Sequence, residues 1–248
     1  MNELEYRKFY DRVGQLNGWD FSKVQCESEG VKWDFYSEVT RRCRKSDLLL
    51  DIGTGGGEAL LSIADCAALL VGIDDSPGMI QEALANLEQS KKSNVRILPM
   101  NAEKIDFPAA FFNVVSCRHA PFSAQEIARV LEGGGVFLTQ QVSEDDKLNL
   151  IRAFGRGQKA AQDGTLKNKY SSELSEAGFS DIQSFDFDAT EYYKTYEDLV
   201  FLLKHTPIIP NFGQGSDDFA KLEAFIQENQ TGKGIKTNSK RFMIIARK

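Results

Sequence analysis

Two aspartates of the chain, Asp51 and Asp74, each end an apolar run, and a glycine-rich turn lies between them. The turn, Gly53-Thr54-Gly55, follows the first run directly, and Asp74 comes about 20 residues later. Glycine tolerates positive φ and lets a ligand approach the backbone closely. A carboxylate at the second position can accept hydrogen bonds from ribose hydroxyl groups. These residue types at this spacing favour binding of a nucleotide-like cofactor.

Parallel strands are the elements that must position these residues. A buried parallel strand has a continuous apolar run, so residues 48–51 and 69–74 are predicted as two strands of one sheet. A helix near Ala59–Ala64 would join them, and Ser76-Pro77 would begin the next helix as its N-cap and first residue. Strands that alternate with helices indicate the α/β class. The remaining predicted strands are residues 95–100, 111–115, 136–142, 182–189 and 240–247.

The residue at position 58 separates two classes of cofactor. A dinucleotide fingerprint, G-x-G-x-x-G, that begins at Gly53 would need a third glycine at position 58. The chain has Glu58 there. A nicotinamide-dependent oxidoreductase is therefore the least favoured enzyme class. A glycine turn that binds no ligand stays open as an alternative, because such turns are common in loops.

Four segments, in order along the chain, resemble motifs of the class I S-adenosylmethionine (SAM) methyltransferases. The Asp51-x-Gly53-x-Gly55 pattern resembles motif I, and Val71–Met79 resembles motif II, G-x-D-x-S-x-x-M. Asn101-Ala102-Glu103 stands where family members read D-A-E, and a helix followed by Gly133–Gly135 precedes the fifth strand. The resemblance implies a Rossmann-like, seven-stranded α/β sheet of order 3-2-1-4-5-7-6 with an antiparallel last strand. The amino-acid sequence as a whole is similar to the sequences of uncharacterised bacterial methyltransferases of the small-molecule type.

The same resemblance implies a cofactor, SAM, a product, S-adenosylhomocysteine, and a set of binding residues. Asp74 would hold the ribose and Met79 would lie against the adenine. Asn101 replaces the usual aspartate that accepts a hydrogen bond from the adenine amino group, and an amide oxygen can still accept it. The complete set of cofactor-binding candidates is Asp51, Gly53, Thr54, Gly55, Asp74, Asp75, Met79, Asn101, Ala102, Glu103 and Cys117. A solvent-exposed charge for Asp75, and core packing for Met79 and Cys117, are the alternative interpretations.

The loop after the fourth predicted strand holds the catalytic candidates, Arg118 and His119. SAM carries its own activated methyl group, so a protein chiefly orients the acceptor and excludes water. His119 could act as a base or orient the acceptor by a hydrogen bond, because histidine titrates near neutral pH. Arg118 could pair with an acidic substrate group or a nearby carboxylate. The alternative for His119 is a helix cap or a backbone contact. Gln140 and Gln141 could hold a polar acceptor, and strand alternation predicts that only one points inward.

Composition limits the partners and the compartment. The formal net charge is −6, which disfavours broad electrostatic binding to nucleic acid without excluding a local basic face. The four cysteines show no C-x-x-C spacing and the two histidines are far apart, so the sequence does not support a zinc site.

Sparse cysteines fit a reducing cytoplasm. No apolar run approaches the roughly 18 residues of a membrane span, and the N-terminus lacks a signal-peptide pattern. We therefore expect a cytoplasmic protein with no membrane partner.

The chain is predicted to form a single domain over residues 1–248. Residues 1–45 would form a helical N-terminal cap, with helices at Leu4–Leu16 and Trp33–Cys43. Residues 46–142 would be the SAM-binding core. Residues 143–248 would be a C-terminal half with a substrate-side insertion at about 190–239, between the last two strands. Within it, the polar stretch Gln230–Ser239 is predicted to be a mobile turn.

Three functions compete at this point. The leading one is transfer of a methyl group from SAM to a small-molecule acceptor by in-line displacement. An RNA-modifying methyltransferase would need a basic face, and the best cluster is Arg41, Arg42, Arg44 and Lys45. A simpler interpretation is that these basic residues stabilise the C-terminal end of a helix. The third is a SAM-binding protein without catalysis. The N-P-P-Y and P-C motifs of nucleic-acid methyltransferases are absent.

Overall fold

The computed structural model describes residues 24–157 and 162–248. Nine strands of the described residues form one sheet, in the order β1-β7-β9-β6-β5-β2-β3-β4 with β8 beside β9. The strands are β1 (Cys26–Glu29), β2 (Leu48–Ile52), β3 (Leu69–Asp74), β4 (Val95–Pro99), β5 (Phe112–Arg118), β6 (Leu131–Val142), β7 (Ser180–Tyr193), β8 (Gln230–Thr231) and β9 (Gly234–Arg247).

Eight α-helices of the described residues surround this sheet, and a short 3-10 turn at Ala64–Cys66 follows the second of them. The helices are α1 (Phe35–Arg42), α2 (Glu58–Ser62), α3 (Pro77–Ser90), α4 (Ala124–Val130), α5 (Leu148–Phe154), α6 (Thr165–Glu176), α7 (Tyr196–His205) and α8 (Asp218–Asn229). The predicted helix at 33–43 is therefore present as α1, and the Ser76-Pro77 start of α3 is confirmed. The Ser76 side chain accepts a hydrogen bond from the Met79 backbone N–H.

The predicted sheet order is confirmed. Strands β2 to β6 pair in parallel, while β9 runs antiparallel to both β6 and β7. Taken alone, seven of the strands follow the order β4-β3-β2-β5-β6-β9-β7, which is 3-2-1-4-5-7-6. Two short strands, β1 and β8, were not predicted. Each is an antiparallel addition to β7 or β9 and is too short to show a periodic pattern.

Helices cover both faces of the parallel part of the sheet. Successive side chains of a strand point to opposite sides, so each parallel strand contributes to both cores. On one face, Leu50 and Ile52 of β2 belong to a core that includes Ile127 of α4 and Leu174 of α6. This two-sided burial explains the continuous apolar runs of the parallel strands.

On the opposite face, Leu49 of β2 packs in a second core with residues of α1, α2 and α3. Val39, Leu60 and Ile80 are the buried contributions of these three helices. The Asp34 carboxylate caps α1 by accepting a hydrogen bond of 2.8 Å from the Ser37 backbone N–H. The second core therefore fixes α1 beside the carboxyl ends of β2 and β5, where the site residues lie.

The strands β7 and β9 extend beyond the core, and this corrects one prediction. The stretch 230–239 is not a mobile turn, because β8 and the first residues of β9 pair within it and β9 continues along β7. Its polar side chains are bonded to the segment at α5. Thr237 Oγ1 donates to Asn149 Oδ1 at 2.7 Å, and Asn238 Oδ1 accepts from the Leu148 N–H at 2.9 Å. A polar sequence is thus ordered by hydrogen bonds rather than by apolar packing.

The sequence predicts that Gly133–Gly135 precede the fifth strand, but in the structure they are part of it. They do not cap the end of α4, since that helix ends at Val130 and Leu131 already has an extended backbone. They lie within β6, where the pairing with β5 shifts register between Phe112 and Val114. A Cβ at Gly135 would lie 2.7 Å from Leu131 Cγ, so a larger residue would not fit there.

A third apolar cluster lies under the segment between β7 and β9. Helices α7 and α8 contribute Leu199, Leu203, Leu222 and Phe225, which pack together with Phe154 of α5. The predicted helix Leu4–Leu16 and the aromatic residues before position 24 lie outside the described residues. Within 24–157 and 162–248, no helix has the length and apolar character needed to cross a membrane.

Candidate functional site

The glycine turn after β2 is attached to its neighbours on two sides. The backbone N–H groups of Gly53 and Thr54 both donate to the carbonyl of Ile73 in β3, at 2.9 and 3.0 Å. Gly53 has φ +69°, and a Cβ there would lie 2.3 Å from the Cβ of Ala120. The turn is therefore pressed against the loop after β5, and glycine is required at position 53.

The second glycine of the turn faces open space. Gly55 has φ +57°, and a Cβ built on it would meet no atom within 4 Å. A ligand can therefore approach the backbone at this point, as the sequence predicts for the turn. Beside it, the buried Thr54 Oγ1 has no hydrogen-bond partner in the described part of the chain. A Cβ at Gly72 would lie 2.8 Å from this oxygen, and the Thr54 hydroxyl also lowers the pKa of Asp51, so it faces the interior beneath the turn.

Asp74 joins the two halves of the site. Its Oδ2 atom accepts a hydrogen bond of 3.0 Å from the Gly55 N–H, and its Oδ1 atom accepts one of 2.9 Å from the Ser76 N–H. Burial raises the pKa of Asp74, and the two backbone donors oppose that shift. The Asp75 backbone N–H also acts on this carboxylate, and part of its capacity of about four lone-pair sites remains for hydroxyl groups of a ligand. This geometry fits a ribose.

The loop after β4 forms a polar rim beyond Asp74. Asn101 Oδ1 accepts from the Glu103 N–H at 2.7 Å, and Asn101 Nδ2 donates to Asp75 Oδ2 at 3.4 Å. Asn101, Glu103 and Asp75 are exposed, while Ala102 packs against the core. Met79 is 1% exposed, so its side chain offers no surface to a ligand in this structure. The structure thus brings Asn101 and Asp75 together and leaves Met79 inside the protein.

Asp51 lies below the turn with neutral hydrogen-bond partners. Ser116 Oγ donates to Asp51 Oδ1 at 2.6 Å, and the Tyr36 hydroxyl donates to Oδ2 at 3.4 Å. Burial raises the pKa of Asp51 to about 6, although these partners and the Arg118 charge lower it in part. The same burial, together with Asp51, raises the pKa of Tyr36 well above its ordinary value. Sequence reasoning did not identify Ser116.

Arg118 is exposed at the carboxyl end of β5 and faces α1. Its guanidinium lies 5.8 Å from the centre of the Tyr36 ring, within the range of a cation–π contact. It makes no ion pair with a carboxylate of the described residues. It also borders a groove of about 560 Å³ between α1 and α2. The lining residues besides Arg118 are Asp34, Tyr36, Ser37, Thr40, Arg41, Ala59, Ser62 and Ile63.

His119 follows Arg118 in a left-handed backbone conformation, with φ +57°. Its backbone N–H donates to the Gln140 carbonyl at 2.9 Å, and its Nε2 atom lies 3.1 Å from Gln140 Nε2. The side chain reaches solvent, yet the surrounding protein still desolvates it. This desolvation, with the charges of Arg241 and Arg118, holds the pKa of His119 well below its usual range. His119 is therefore neutral at neutral pH.

The side chains of Cys117 and Gln141 are buried and point away from the side of the sheet where Gln140 meets His119. The Cys117 thiol donates to the Ala120 carbonyl at 3.2 Å, and burial raises its pKa to about 12. Gln141 Nε2 donates to the same carbonyl at 2.9 Å. Gln140 is buried as well, at 6% exposure, because both faces of β6 are covered. Only Gln140 contacts the His119 side chain, and Gln141 lies on the other face of β6, as strand alternation predicts. Both glutamines are buried, and Cys117 could contribute only its backbone to a ligand site.

The arrangement suits a nucleoside cofactor and gives no sign of a resident metal. The Asp74 carboxylate and the open space above Gly55 lie at the carboxyl ends of β2 and β3. Open α/β sheets bind ligands at that edge. Within the described ranges, no group of three or more histidine, cysteine or acidic side chains could hold a metal ion.

Comparison with known proteins gives the following matches. The sequence model of the methyltransferase domain matches residues 49–135. An uncharacterized methyltransferase of Bacillus subtilis, YcgJ, is 31% identical over 106 residues, which are 40% of this chain and 42% of that protein. The aklanonic acid methyltransferase DauC of a Streptomyces species is 33% identical over 151 residues, or 54% of this chain and 66% of the relative. The match thus spans about two fifths to two thirds of these curated relatives.

Solved structures agree in fold. The crystal structure of the Bacillus subtilis YcgJ protein superposes with a TM-score of 0.59 at 22% identity, covering 86% of this chain and 97% of that one. A phosphoethanolamine N-methyltransferase of Haemonchus contortus, solved with S-adenosylhomocysteine, has a TM-score of 0.54 at 18% identity, covering 86% of this chain and 51% of that one. At these identities the likeness concerns the fold alone.

Proposed function

Because residues 49–135 form a methyltransferase domain of the class I, SAM-dependent family, we propose that the protein transfers a methyl group from SAM to a small-molecule acceptor. The hydrogen-bonded pair of Asp74 and Gly55 is the observation that carries the proposal. It places a carboxylate with free acceptor positions beside an open glycine backbone. Such a pair would hold the ribose of a nucleoside cofactor.

We assign the cofactor contacts as follows. Asp74 would accept hydrogen bonds from the ribose, and Asn101 would accept one from the adenine amino group. Gly53 and Gly55 would let the cofactor lie against the turn, while Asp51 and Thr54, which are buried beneath the turn, would hold it in place for the cofactor. Asp75, Ala102 and Glu103 would lie at the rim of the site, while the buried side chains of Met79 and Cys117 would support it from inside the protein. The division into a cap, a core and a substrate-side insertion stays a prediction.

Methyl transfer from SAM requires of the protein mainly that it position the acceptor next to the cofactor. The bound cofactor supplies a methyl group already activated by its sulfonium charge. The chain has to hold the acceptor in line with the methyl-to-sulfur bond and keep water out. Arg118, at the end of β5, and His119, directly after it, would orient the acceptor. The alignment and proximity they impose are the main source of rate acceleration in this proposal.

The size and charge of the groove favour a small acceptor. Its volume of about 560 Å³ lies within the usual range of small-molecule pockets. The basic residues that an RNA-binding face would use are partly neutralised, because Arg41 and Arg42 both pair with Glu38. The net charge of −6 points the same way. One relative is named for a small molecule, aklanonic acid.

Calorimetry with SAM and S-adenosylhomocysteine tests the cofactor assignment. We expect the wild type to bind both, and Asp74→Ala to weaken binding by about tenfold to a hundredfold, since hydrogen bonds to a charged group contribute about 1.5–3 kcal/mol. The matched control is Asp217→Ala, at an exposed aspartate before α8. Its affinity should equal that of the wild type. Absence of binding to the folded wild type would refute the proposal.

A labelled-methyl screen tests the transfer itself. The wild type is incubated with methyl-labelled SAM and separate small-molecule, protein and RNA fractions of a cell extract. We expect label in the small-molecule fraction, and none with Asp74→Ala. Label that appears in RNA and disappears after ribonuclease treatment would support the RNA-modifying alternative. Cofactor binding without label in any fraction would support the non-catalytic one.

A further inference from the structure

Three side chains in a row connect the segment just before α1 to the catalytic candidate His119. The Trp33 indole Nε1–H donates a 2.7 Å hydrogen bond to Gln140 Oε1. The other end of the same amide, Gln140 Nε2, lies 3.1 Å from His119 Nε2. Trp33 and Gln140 are 107 positions apart in the sequence, so this contact is a product of the fold.

The donors and acceptors of this chain determine where the histidine proton lies. An indole N–H can only donate, so the Gln140 oxygen must face Trp33 and the amide nitrogen must face His119. An amide NH₂ group can only donate, so His119 Nε2 must accept. A neutral imidazole has one proton, and it must therefore be on Nδ1.

The partners of His119 are held firmly enough to impose this arrangement. Gln140 is 6% exposed and belongs to β6, between β5 and β9. The Trp33 ring packs on Phe187 of β7, with ring centres 4.6 Å apart. The amide can rotate only by giving up the hydrogen bond from Trp33. His119 Nδ1 makes no hydrogen bond within the described part of the chain, and the residue as a whole is exposed, so we take its N–H to be available to a ligand.

We infer that Trp33 and Gln140 are positioning residues that keep His119 as the Nδ1–H tautomer, and that the enzyme therefore methylates an acceptor already ionised in solution, a carboxylate. In this state His119 donates a hydrogen bond to the acceptor and has no free nitrogen to take its proton. The tautomer stands on the structure alone, while the acceptor class rests on the proposed function. A neutral alcohol or protonated amine would need a base that this arrangement does not provide.

The charges around His119 favour an anionic acceptor. Arg118 is exposed and has no carboxylate partner within the described residues, so its charge is available to a ligand. Arg241 also acts on His119, but it is paired with the buried Asp146. Arginine suits carboxylates because its planar fork of donors can bind both oxygens. A carboxylate that meets Arg118 and the His119 N–H would be both oriented and neutralised.

The proposed step balances without a base. An ionised carboxylate oxygen forms the new bond to the methyl carbon as the methyl-to-sulfur bond breaks, and the bonding pair stays on sulfur. The products are a neutral methyl ester and a neutral thioether. No proton is released, in agreement with a histidine that only donates.

Nitrogen NMR of the full-length chain tests the tautomer without any acceptor. The sequence has only two histidines, so a His205→Gln variant identifies the signals of His119 in ¹⁵N-labelled protein. We expect the wild type at neutral pH to show the protonated type of shift at Nδ1 and the unprotonated type at Nε2. Gln140→Met, which cannot donate, should move the signals toward the Nε2–H form. A wild-type signal of the Nε2–H form would overturn the inference.

Gln140→Glu makes the opposite change and should invert the tautomer. A carboxylate can accept from both Trp33 and His119, so His119 should become the Nε2–H form and its pKa should rise by about one unit or more. Gln183→Glu adds the same charge at an exposed position of β7 and is the control. It should leave the His119 tautomer as in the wild type. An unchanged tautomer in folded Gln140→Glu would contradict the positioning role.

The acceptor class has its own test. Methyl-labelled product from the extract screen is treated with mild base, which hydrolyses methyl esters and releases labelled, volatile methanol. We expect most of the label to become volatile. Label that resists base would overturn the carboxylate assignment while leaving the tautomer and the methyltransferase function standing. Failure to bind SAM would instead refute the function and leave the NMR result unaffected.

Discussion

The Ser116 hydroxyl donates a 2.6 Å hydrogen bond to the Asp51 carboxylate across the pairing of β5 with β2, where the two residues are register partners. Asp51 is 1% exposed and Ser116 is fully buried. The hydrogen-bond donors that reach Asp51 are neutral, so its ionised form is costly in this environment. This cost is the reason that burial raises the pKa of Asp51 to about 6.

Asp51→Asn should stabilise the protein at neutral pH. The pKa of Asp51 is raised from 3.8 to about 6 in the folded state, so the folded protein holds a proton that the unfolded chain has lost. Stability from this group therefore falls as pH rises from about 4 to 7, by up to about 3 kcal/mol. Urea unfolding at pH 5 and pH 7.5 should show a larger gain for Asp51→Asn at the higher pH. An equal gain at both values would contradict the expected pKa.

Gly55→Ala should impair the binding of S-adenosylhomocysteine more than it impairs stability. The left-handed backbone costs an alanine about 1 kcal/mol, and its Cβ would enter the open space above the turn. Calorimetry should show that the affinity falls by about tenfold or more, a loss of about 1.4 kcal/mol or more in binding free energy.

Gly134→Ala is the matched control for that variant. Gly134 also has a positive φ, +83°, and open space around its Cβ, but it lies in β6 near the end of α4. It should show a similar loss of stability and unchanged affinity. Equal affinities for the two variants would mean that the space above Gly55 is not the ligand site.

Cys117 should resist alkylation in the folded protein. Its thiol is fully buried, and burial raises its pKa to about 12, so almost no thiolate exists near pH 8. Mass spectrometry after iodoacetamide treatment at pH 8 should find Cys117 unmodified, and modified once urea is added. Rapid labelling of the native protein at Cys117 would show that the thiol is accessible after all.

Glu191→Gln should destabilise the protein more than the double variant with Lys147→Met. Lys147 is 2% exposed, and its ammonium lies 2.7 Å from Glu191 Oε2. Removal of one partner of a buried pair costs about 3–5 kcal/mol, because the other charge stays buried. Urea unfolding should rank the double variant between the wild type and Glu191→Gln. A fully additive result would mean that the two residues are not coupled.

The same pair predicts a loss of stability in acid. Burial alone would raise the pKa of Glu191, but Lys147 and the Tyr193 hydroxyl hold it below its ordinary value. A carboxylate with a lowered pKa stabilises the folded state at neutral pH, and this contribution is lost as pH falls through the folded pKa. The double variant should therefore lose less stability than the wild type between pH 6 and about pH 3.

The sequence predicted the parts of the site that depend on local patterns. The glycine turn, Asp74 and the Ser76-Pro77 start of α3 each follow from neighbouring residues and were located correctly. The contacts of Trp33 with Gln140 and of Ser116 with Asp51 were not predictable, since they join residues 107 and 65 positions apart. Hydrophobic periodicity indicates which face of an element is buried but does not identify the partner of a polar side chain.

The polar part of β9 shows a second limit of pattern reasoning. Residues 234–239 lack the apolar alternation of a strand, so they were interpreted as a mobile turn. Thr237 and Asn238 are instead bonded to Asn149 and to the Leu148 N–H. Such a strand can be recognised only when its hydrogen-bond partners are known, and these lie about 90 positions away.

The bridge that Asp74 makes between the Gly55 and Ser76 amides has a consequence for the thermodynamics of binding. Both loops are already fixed in the geometry that a ribose would meet, so little conformational entropy remains to be lost on association. A preorganised site of this kind binds its ligand with a small loss of conformational entropy, and it selects among ligands by how well their shape fits the fixed loops. Loosening the bridge would therefore weaken affinity even for a ligand that kept all its own contacts.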